Sequence, residues 1–238
     1  MKGELVSQTQ ITCGVIYIVS GREYVADACH SARSLREHCP SLQIDIYCDD
    51  LDVIQPGLFD EVHQIENPHA RSKVDYIWQS RFDRVLYLDS DTRVVADISG
   101  LFDLLDRFDF CANHAHSRER LTTNQTWRIT IPKCFPQLNG GVLLFRNTQA
   151  VKSMLKEWAE AYHSAGFRRD QVTLRELVWC SELDIYILPP EYNIRYAKYL
   201  DFWEEHEAHP KILHFSDFKT AAPRKIKSKI RSLFKRKK

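Results

Sequence analysis

The fold of this chain is decided by the segment Arg84-Val-Leu-Tyr-Leu-Asp-Ser-Asp-Thr92. Its apolar residues predict a buried strand, which ends in two carboxylates one residue apart, Asp89 and Asp91. In open α/β folds, ligands bind at the carboxyl ends of the strands. Two carboxylates this close repel each other unless a cation lies between them, and divalent ions accept both carboxylate and phosphate oxygens. The segment therefore predicts a metal ion that bridges the protein to a diphosphate.

Strand and helix patterns alternate along the rest of the chain. Strands are predicted at residues 11–19, 42–48, 61–65, 85–88, 94–95 (a short continuation of the preceding strand), 110–113, 138–146, 185–188 and 212–215. Helices are predicted at residues 24–38, 72–80, 101–108, 150–164 and 171–180. The polar, irregular residues 114–137 predict a loop region that faces a substrate. The alternation predicts an α/β fold with a mostly parallel central sheet and helices on both faces.

Composition narrows the class of protein. The 238 residues are 44% hydrophobic, which is enough for a real core in one domain. Seven cysteines are scattered without a C-x-x-C pair, so neither a zinc knuckle nor a redox motif is indicated, and a reducing, cytoplasmic compartment is expected. No apolar run approaches the roughly 18 residues that a membrane-spanning helix needs.

The charge is concentrated at the carboxyl terminus. Residues 223–238 hold nine Lys and Arg and no acid, so the net charge of +1 leaves the preceding residues at −8 (1 − 9). A nucleic-acid-binding domain spreads basic charge over its fold, so no nucleic-acid partner is expected. We divide the chain into a domain of residues 1–222 and a basic amphipathic tail of residues 223–238.

Apolar residues of the tail recur at helical spacing between the basic ones, at Ile226, Ile230, Leu233 and Phe234. On a helix they form one apolar face opposite a basic face, which predicts binding to an anionic membrane surface. A solvated basic end and a nucleic-acid arm are the alternatives. The favoured interpretation places the protein at the inner face of the membrane as a peripheral protein.

Several motifs accompany the two carboxylates in a fixed order. They are Tyr-Ile-Val-Ser-Gly-Arg-Glu-Tyr at 17–24, Ala-Arg-Ser-Lys at 70–73, Gln-Leu-Asn-Gly-Gly-Val at 137–142, Arg-Asp-Gln at 169–171 and Ile-Leu-His-Phe at 212–215. Together they resemble glycosyltransferase family 8, which includes glycogenin and bacterial lipopolysaccharide galactosyltransferases. The resemblance spans roughly residues 11–219. It implies a single GT-A (Rossmann-like) nucleotide-diphospho-sugar transferase domain.

The resemblance also implies an activity and a metal site. The activity is metal-dependent, retaining transfer of a hexose from a UDP-sugar to a glycan or lipid-linked acceptor. The metal ligands are Asp89, Asp91 and His214, and the ion is Mn²⁺ or Mg²⁺. Imidazole suits Mn²⁺ better than Mg²⁺, whereas a lone histidine after apolar residues is more often structural. A catalytically silent GT-A binding or scaffold module is the alternative function.

Donor-binding roles follow from the same resemblance. Val19, Ser20 and Tyr24 correspond to the residues that hold uracil and ribose, although Tyr24 also fits a core tyrosine. Lys73 corresponds to a lysine at the donor phosphate, with Arg71 as a competing candidate and a surface lysine as the alternative.

Four further positions complete the implied donor site. Ser90 corresponds to a position near the ribose, and the Gly140-Gly141 pair lies under the transferred sugar or forms a β-bulge. Lys219 corresponds to a second phosphate-binding lysine, but it comes one residue early and the family's glycine is missing from residues 216–219.

Three residues correspond to the catalytic positions of the family. The resemblance implies that Asp170 contacts hydroxyls of the donor sugar and that Gln171 lies beside the anomeric centre. Asn139 offers both a donor and an acceptor. Asp170 is also predicted to cap the helix 171–180. The sequence places no second carboxylate as a nucleophile, and an attack by the acceptor on the same face of the sugar needs none.

Overall fold

The strand that precedes Asp89 lies in the middle of a seven-stranded sheet. The strands of the fold are β1 (Cys13–Val19), β2 (Gln43–Cys48), β3 (Glu61–Gln64), β4 (Arg84–Leu88), β5 (Thr92–Val94), β6 (Phe110–His114), β7 (Leu138–Arg146), β8 (Ile185–Ile187) and β9 (Ile212–His214). In this computed structural model, residues 11–201, 203–204 and 206–216 are described. Lys219 and the tail 223–238 lie outside the described residues, so their roles stay predictions. No described helix is long and apolar enough to cross a bilayer.

Strand direction explains why distant segments meet at one edge of the sheet. The strand order is β3-β2-β1-β4-β7-β6-β8. β1, β2, β3 and β4 run parallel to one another, and so do β6 and β8. β7 alone runs antiparallel to β4 and β6. The amino end of β7 therefore meets the carboxyl ends of β1 and β4. This confirms the predicted α/β fold with a mostly parallel sheet.

Helices cover both faces of the sheet, as the sequence predicts. The α-helices are α1 (Arg22–His38), α2 (Lys73–Tyr76), α3 (Gln149–Ala165) and α4 (Gln171–Cys180). α1 packs on one face through residues such as Leu35, and α3 packs on the other through Trp158. α3 is delimited at both ends, because Thr148 caps its first turn and Gly166 adopts a left-handed conformation after its last.

The predicted strand 94–95 is not a continuation of β4. The Thr92 hydroxyl donates to the Asp89 carbonyl oxygen (2.8 Å), and this turn directs the chain out of the central sheet. β5 pairs instead with β9 in a separate two-stranded sheet, in which Thr92 lies opposite His214. This pairing has a functional consequence, because it brings His214 next to the two carboxylates.

Two predicted helices differ in type. The predicted helix 101–108 is a 3₁₀-helix, Ser99–Asp106. Its apolar residues would face the core in an α-helix as well as in a 3₁₀-helix, so the sequence pattern does not distinguish the two types. The predicted helix 72–80 divides into α2 and a 3₁₀-helix, Ile77–Gln79, because Tyr76 (φ −114°) departs from helical geometry. The remaining 3₁₀-helices are Leu51–Val53, Leu121–Thr123, Pro190–Tyr192 and Ala197–Asp201.

Candidate functional site

Asp89, Asp91 and His214 converge at the carboxyl edge of the central sheet. Nε2 of His214 lies 3.0 Å from Oδ1 of Asp91 and 3.5 Å from Oδ2 of Asp89. One ligand atom from each of the three residues lies within 4.8 Å of the others. The pairing of β5 with β9 supplies the histidine, and the end of β4 supplies the acids. The arrangement can hold a divalent cation.

A network of amides fixes the orientation of the His214 ring. Oδ1 of Asn139 accepts from the Gly141 N–H (3.0 Å) and from Nδ2 of Asn193 (3.0 Å). Since the Asn193 amide nitrogen is the donor there, its Oδ1 accepts from Nδ1 of His214 (2.8 Å). With Nδ1 fixed as a donor, Nε2 is the ring nitrogen that faces the carboxylates, as a metal ligand must. No sequence motif marks Asn193, and only the structure identifies it.

Lys73 is buried between two acids. Its Nζ lies 3.1 Å from Oδ2 of Asp170 and 3.6 Å from Oδ1 of Asp89, and it donates to the Gly140 carbonyl oxygen (2.8 Å). Burial acts to lower the pKa of Lys73, but Asp170 and Asp89 outweigh burial and raise it. The lysine is therefore a fixed positive charge at this edge, and the surface-lysine alternative is wrong.

The carboxylates of Asp89 and Asp91 stay ionised although both are partly buried. Burial acts to raise the pKa of Asp89, but Lys73 and His214 hold it well below its usual range. Burial acts in the same direction on the pKa of Asp91, where His214 outweighs it and lowers the pKa. The Tyr87 hydroxyl also donates to Oδ1 of Asp89 (2.6 Å). Two ionised carboxylates and an imidazole nitrogen form a ligand set that suits a divalent cation.

Gly141 is required by the space around it, and Gly140 lies close to neighbouring side chains. A Cβ on Gly141 would collide with the His214 ring and lie 2.5 Å from Oδ2 of Asp89. A Cβ on Gly140 would lie 3.1 Å from Nζ of Lys73. The pairing of β6 with β7 also shifts register beside the two glycines. The bulge and the close approach are therefore both present.

Two cavities flank the carboxylates, and we call the one beside His214 the first cavity. Its volume is about 300 Å³, within the range of ligand sites. Asn139, Asp170 and Gln171, the predicted catalytic residues, line it together with His214.

The second cavity, of about 490 Å³, lies beside the end of β1. Val19, Ser20, Tyr24 and the buried Ser90 line it. The Tyr24 side chain is 45% exposed, so the core-tyrosine alternative is wrong. Both cavities share the residues Arg71, Lys73, Asp89 and Asp91.

Asp170 does not cap α4, contrary to the sequence-based prediction. It adopts helical backbone angles (φ −67°, ψ −22°), and its side chain makes no capping hydrogen bond. The carboxylate is directed instead to Lys73 and to Nε of Arg71 (3.6 Å), because two cations outcompete a backbone N–H for it. Asp170 thus belongs to the charged cluster at the junction of the two cavities.

Two other groups of histidines and acids have ligand-like spacing, but in each of them an acid is engaged by neighbouring side chains. Asp75 accepts from His69 and His163, and His69 Nδ1 accepts from the Arg71 N–H (3.2 Å), so the His69 Nε2 carries its proton. In the other group, Asp45 is bound through both oxygens by Arg81. We interpret both groups as structural.

Comparisons with known proteins identify the family and the fold. Residues 68–220 match the model of glycosyl transferase family 8. The fold is similar to that of the galactosyltransferase LgtC in complex with donor and acceptor sugar analogs, with 15% identity over 92% of this chain and 95% of that chain and a TM-score of 0.63. An active-site mutant of LgtC gives 17% identity, the same coverage of both chains and the same TM-score.

The glycosyltransferase GlyE of Streptococcus pneumoniae TIGR4 is also similar in fold, with 21% identity and a TM-score of 0.58. That match covers 85% of this chain but 55% of the GlyE chain. No curated protein sequence matches the chain. At such identities the structural matches establish the GT-A fold alone. The family is established by the family model, which covers more than half of the chain. The protein therefore belongs to glycosyltransferase family 8 and is a glycosyltransferase enzyme.

Proposed function

We propose that the protein is a metal-dependent, retaining glycosyltransferase that moves a hexose from a UDP-sugar to a glycan or lipid-linked acceptor. The observation that carries the proposal is the junction of two cavities at a cluster of opposite charges, Lys73 beside Asp89 and Asp91. If the nucleoside of the donor binds in one cavity and its sugar in the other, the diphosphate between them lies at this cluster of charged side chains.

The second cavity suits the nucleoside. The ring of Tyr24 is exposed there and can stack on a base. Ser20 also lines this cavity, and a hydrogen bond between its hydroxyl and that of Ser72 (2.8 Å) holds it in place. Gly21 follows, and its N–H donates to both carboxylate oxygens of Asp49 (2.8 and 3.0 Å), which fixes the turn between β1 and α1.

Asp89, Asp91 and His214 would hold the metal ion, and Asn193 would keep the imidazole in the tautomer that binds it. When bound, the ion supplies Lewis-acid stabilisation of the negative charge on the departing diphosphate. Lys73 contributes to the same end as a buried cation that requires no reorganisation during the reaction.

The first cavity suits the transferred sugar. Asp170 and Gln171 line it from the start of α4, and Asn139 lines it from the amino end of β7. Among the described residues that line either cavity, the only carboxylates are Asp89, Asp91 and Asp170. Asp170 is already paired with Lys73, which favours attack by the acceptor on the same face of the sugar over a free carboxylate nucleophile.

A screen of UDP-sugar cleavage tests the proposal. Release of UDP from UDP-glucose, UDP-galactose and their N-acetyl forms is measured with Mn²⁺, with Mg²⁺ and with EDTA. We expect one donor to be cleaved, faster with Mn²⁺ than with Mg²⁺ and not at all with EDTA. With an acceptor, NMR of the product should show the anomeric configuration of the donor.

Each contradictory outcome of the screen has a distinct meaning. Binding of a UDP-sugar without cleavage under any condition would support the silent-module alternative. Cleavage that persists unchanged in EDTA would refute the metal dependence. A product of inverted configuration would refute retention.

A further inference from the structure

The first cavity carries more positive charge than a neutral acceptor requires. Five cationic side chains line it against three carboxylates. The cations are Arg71, Lys73, Arg120, Arg169 and Arg195, and the acids are Asp89, Asp91 and Asp170. The charge of a divalent ion offsets that of a sugar-nucleotide diphosphate, so the positive excess of the cavity remains after the donor binds.

Three of these cations lie away from the nucleotide side. Arg120, Arg169 and Arg195 line the first cavity but not the second, whereas Arg71 and Lys73 line both. Lys73 is also paired with the buried Asp170, while the three arginines come from separate loops that line the sugar side. Their position is that of an acceptor site rather than of a diphosphate site.

Within the described parts of the chain, the guanidinium groups of these three arginines form no hydrogen bond and no ion pair. Nη1 of Arg195 is buried and has no hydrogen-bond partner there. Arg195 is near enough to act on the charge of Asp91, yet it forms no ion pair with it. A guanidinium is always charged, and a buried donor without a partner costs free energy. An anion in the first cavity would supply the missing acceptor.

An aromatic surface adjoins the arginines. Tyr196, directly after Arg195, is 40% exposed and lines the first cavity. Its ring lies 4.5 Å from that of His116, and Nε2 of His116 is hydrogen-bonded to the Tyr199 hydroxyl (2.7 Å). An exposed, well-supported aromatic ring offers its face to the apolar face of a pyranose. Sugar-binding and anion-binding groups therefore lie side by side.

We propose that the acceptor is an anionic sugar, whose phosphate or carboxylate is bound by Arg120, Arg169 and Arg195 while its ring packs on Tyr196. The inference rests on the proposed function, because it assigns the acceptor of that same site. Arginine binds phosphate and carboxylate through paired N–H donors, which fixes the acceptor in orientation as well as in place.

Calorimetric titration of the full chain, saturated with UDP and Mn²⁺ to fill the donor site, tests the proposal. The probes are glucose, glucose 6-phosphate and glucuronic acid. We expect at least one anionic sugar to bind about tenfold more tightly than glucose. Whichever of the two anionic sugars binds more tightly shows whether the acceptor carries a phosphate or a carboxylate. Equal affinity for all three sugars would overturn the proposal.

Single substitutions assign the effect to the arginines. Arg120→Gln, Arg169→Gln and Arg195→Gln should each weaken binding of the anionic sugar several-fold and leave binding of glucose unchanged. Arg118→Gln is the matched control, because Arg118 is exposed in the same loop as Arg120 and does not line the first cavity. Thermal melting checks that each variant is folded. Unchanged binding in all three variants would overturn the proposal.

UDP-sugar cleavage without acceptor separates this inference from the proposed function. If a donor is cleaved but anionic sugars are not preferred, the inference alone is wrong. If the arginine-dependent preference is found but no donor is cleaved, the anion site stands and the transferase proposal fails.

Discussion

Asp89→Asn is expected to lower the rate of Mn²⁺-dependent UDP-sugar cleavage by roughly two to three orders of magnitude. The substitution keeps the shape of the side chain but removes the charge that faces both Nε2 of His214 (3.5 Å) and Nζ of Lys73 (3.6 Å). It therefore removes a metal ligand and disturbs the neighbouring cation at once. The measurement is UDP release at saturating donor over a range of Mn²⁺ concentrations.

Asp52→Asn is the matched control, since Asp52 is an exposed aspartate that lines neither cavity and belongs to none of the potential metal-binding groups of the described residues. Its rate should equal that of the wild type. If Asp89→Asn also keeps the wild-type rate at limiting Mn²⁺, the assignment of Asp89 as a metal ligand is wrong. Circular dichroism of both variants excludes a general loss of folding.

Lys73→Met is expected to destabilise the fold by about 3 kcal/mol and to abolish cleavage, because it leaves the carboxylates of Asp170 and Asp89 without their buried partner. The free energy of unfolding is measured by urea titration. Lys133→Met, at an exposed lysine, should change it by less than about 0.5 kcal/mol. A destabilisation as small as that of the control would show that the buried cation is not needed for folding.

The difference in free energy of unfolding between wild type and Lys73→Met should also depend on pH in a defined way. The pKa of Lys73 is raised, so its contribution is present below 10.5 and is lost only as pH rises through the folded value. The pKa of Asp89 is lowered, so its contribution is present above 3.8 and is lost as pH falls toward the folded value. Wild type and Lys73→Met should thus differ by a constant amount between about pH 5 and pH 9, and converge in stronger acid.

The sequence predicts the parts of the site that follow from local pattern. An apolar strand that ends in Asp89 and Asp91 has one simple placement, at the carboxyl edge of a parallel sheet. The order of motifs then places Asp170, and the structure brings it to the same junction. These predictions succeed because strand burial and edge position depend on a few consecutive residues.

The sequence does not predict the parts that depend on contacts between distant segments. The pairing of β5 with β9 sets the position of His214, and nothing local to residues 92–95 distinguishes it from a continued strand. Asn193 acts through two side chains that lie far from it along the chain, Asn139 and His214. Similarly, the position of Asp170 at the start of a helix predicts that it caps the helix. Only the structure shows the two cations, Arg71 and Lys73, that bind its carboxylate instead.

The linkage between Mn²⁺ and UDP tests the central claim most directly, because the claim is that Asp89, Asp91 and His214 hold an ion that contacts the diphosphate. Calorimetric titration of UDP into wild type and into Asp91→Asn, with Mn²⁺ or with EDTA, measures this linkage without turnover. We predict that Mn²⁺ raises the affinity of wild type for UDP by at least about tenfold and that Asp91→Asn loses most of this gain. Equal UDP affinity of wild type with Mn²⁺ and with EDTA would contradict the account.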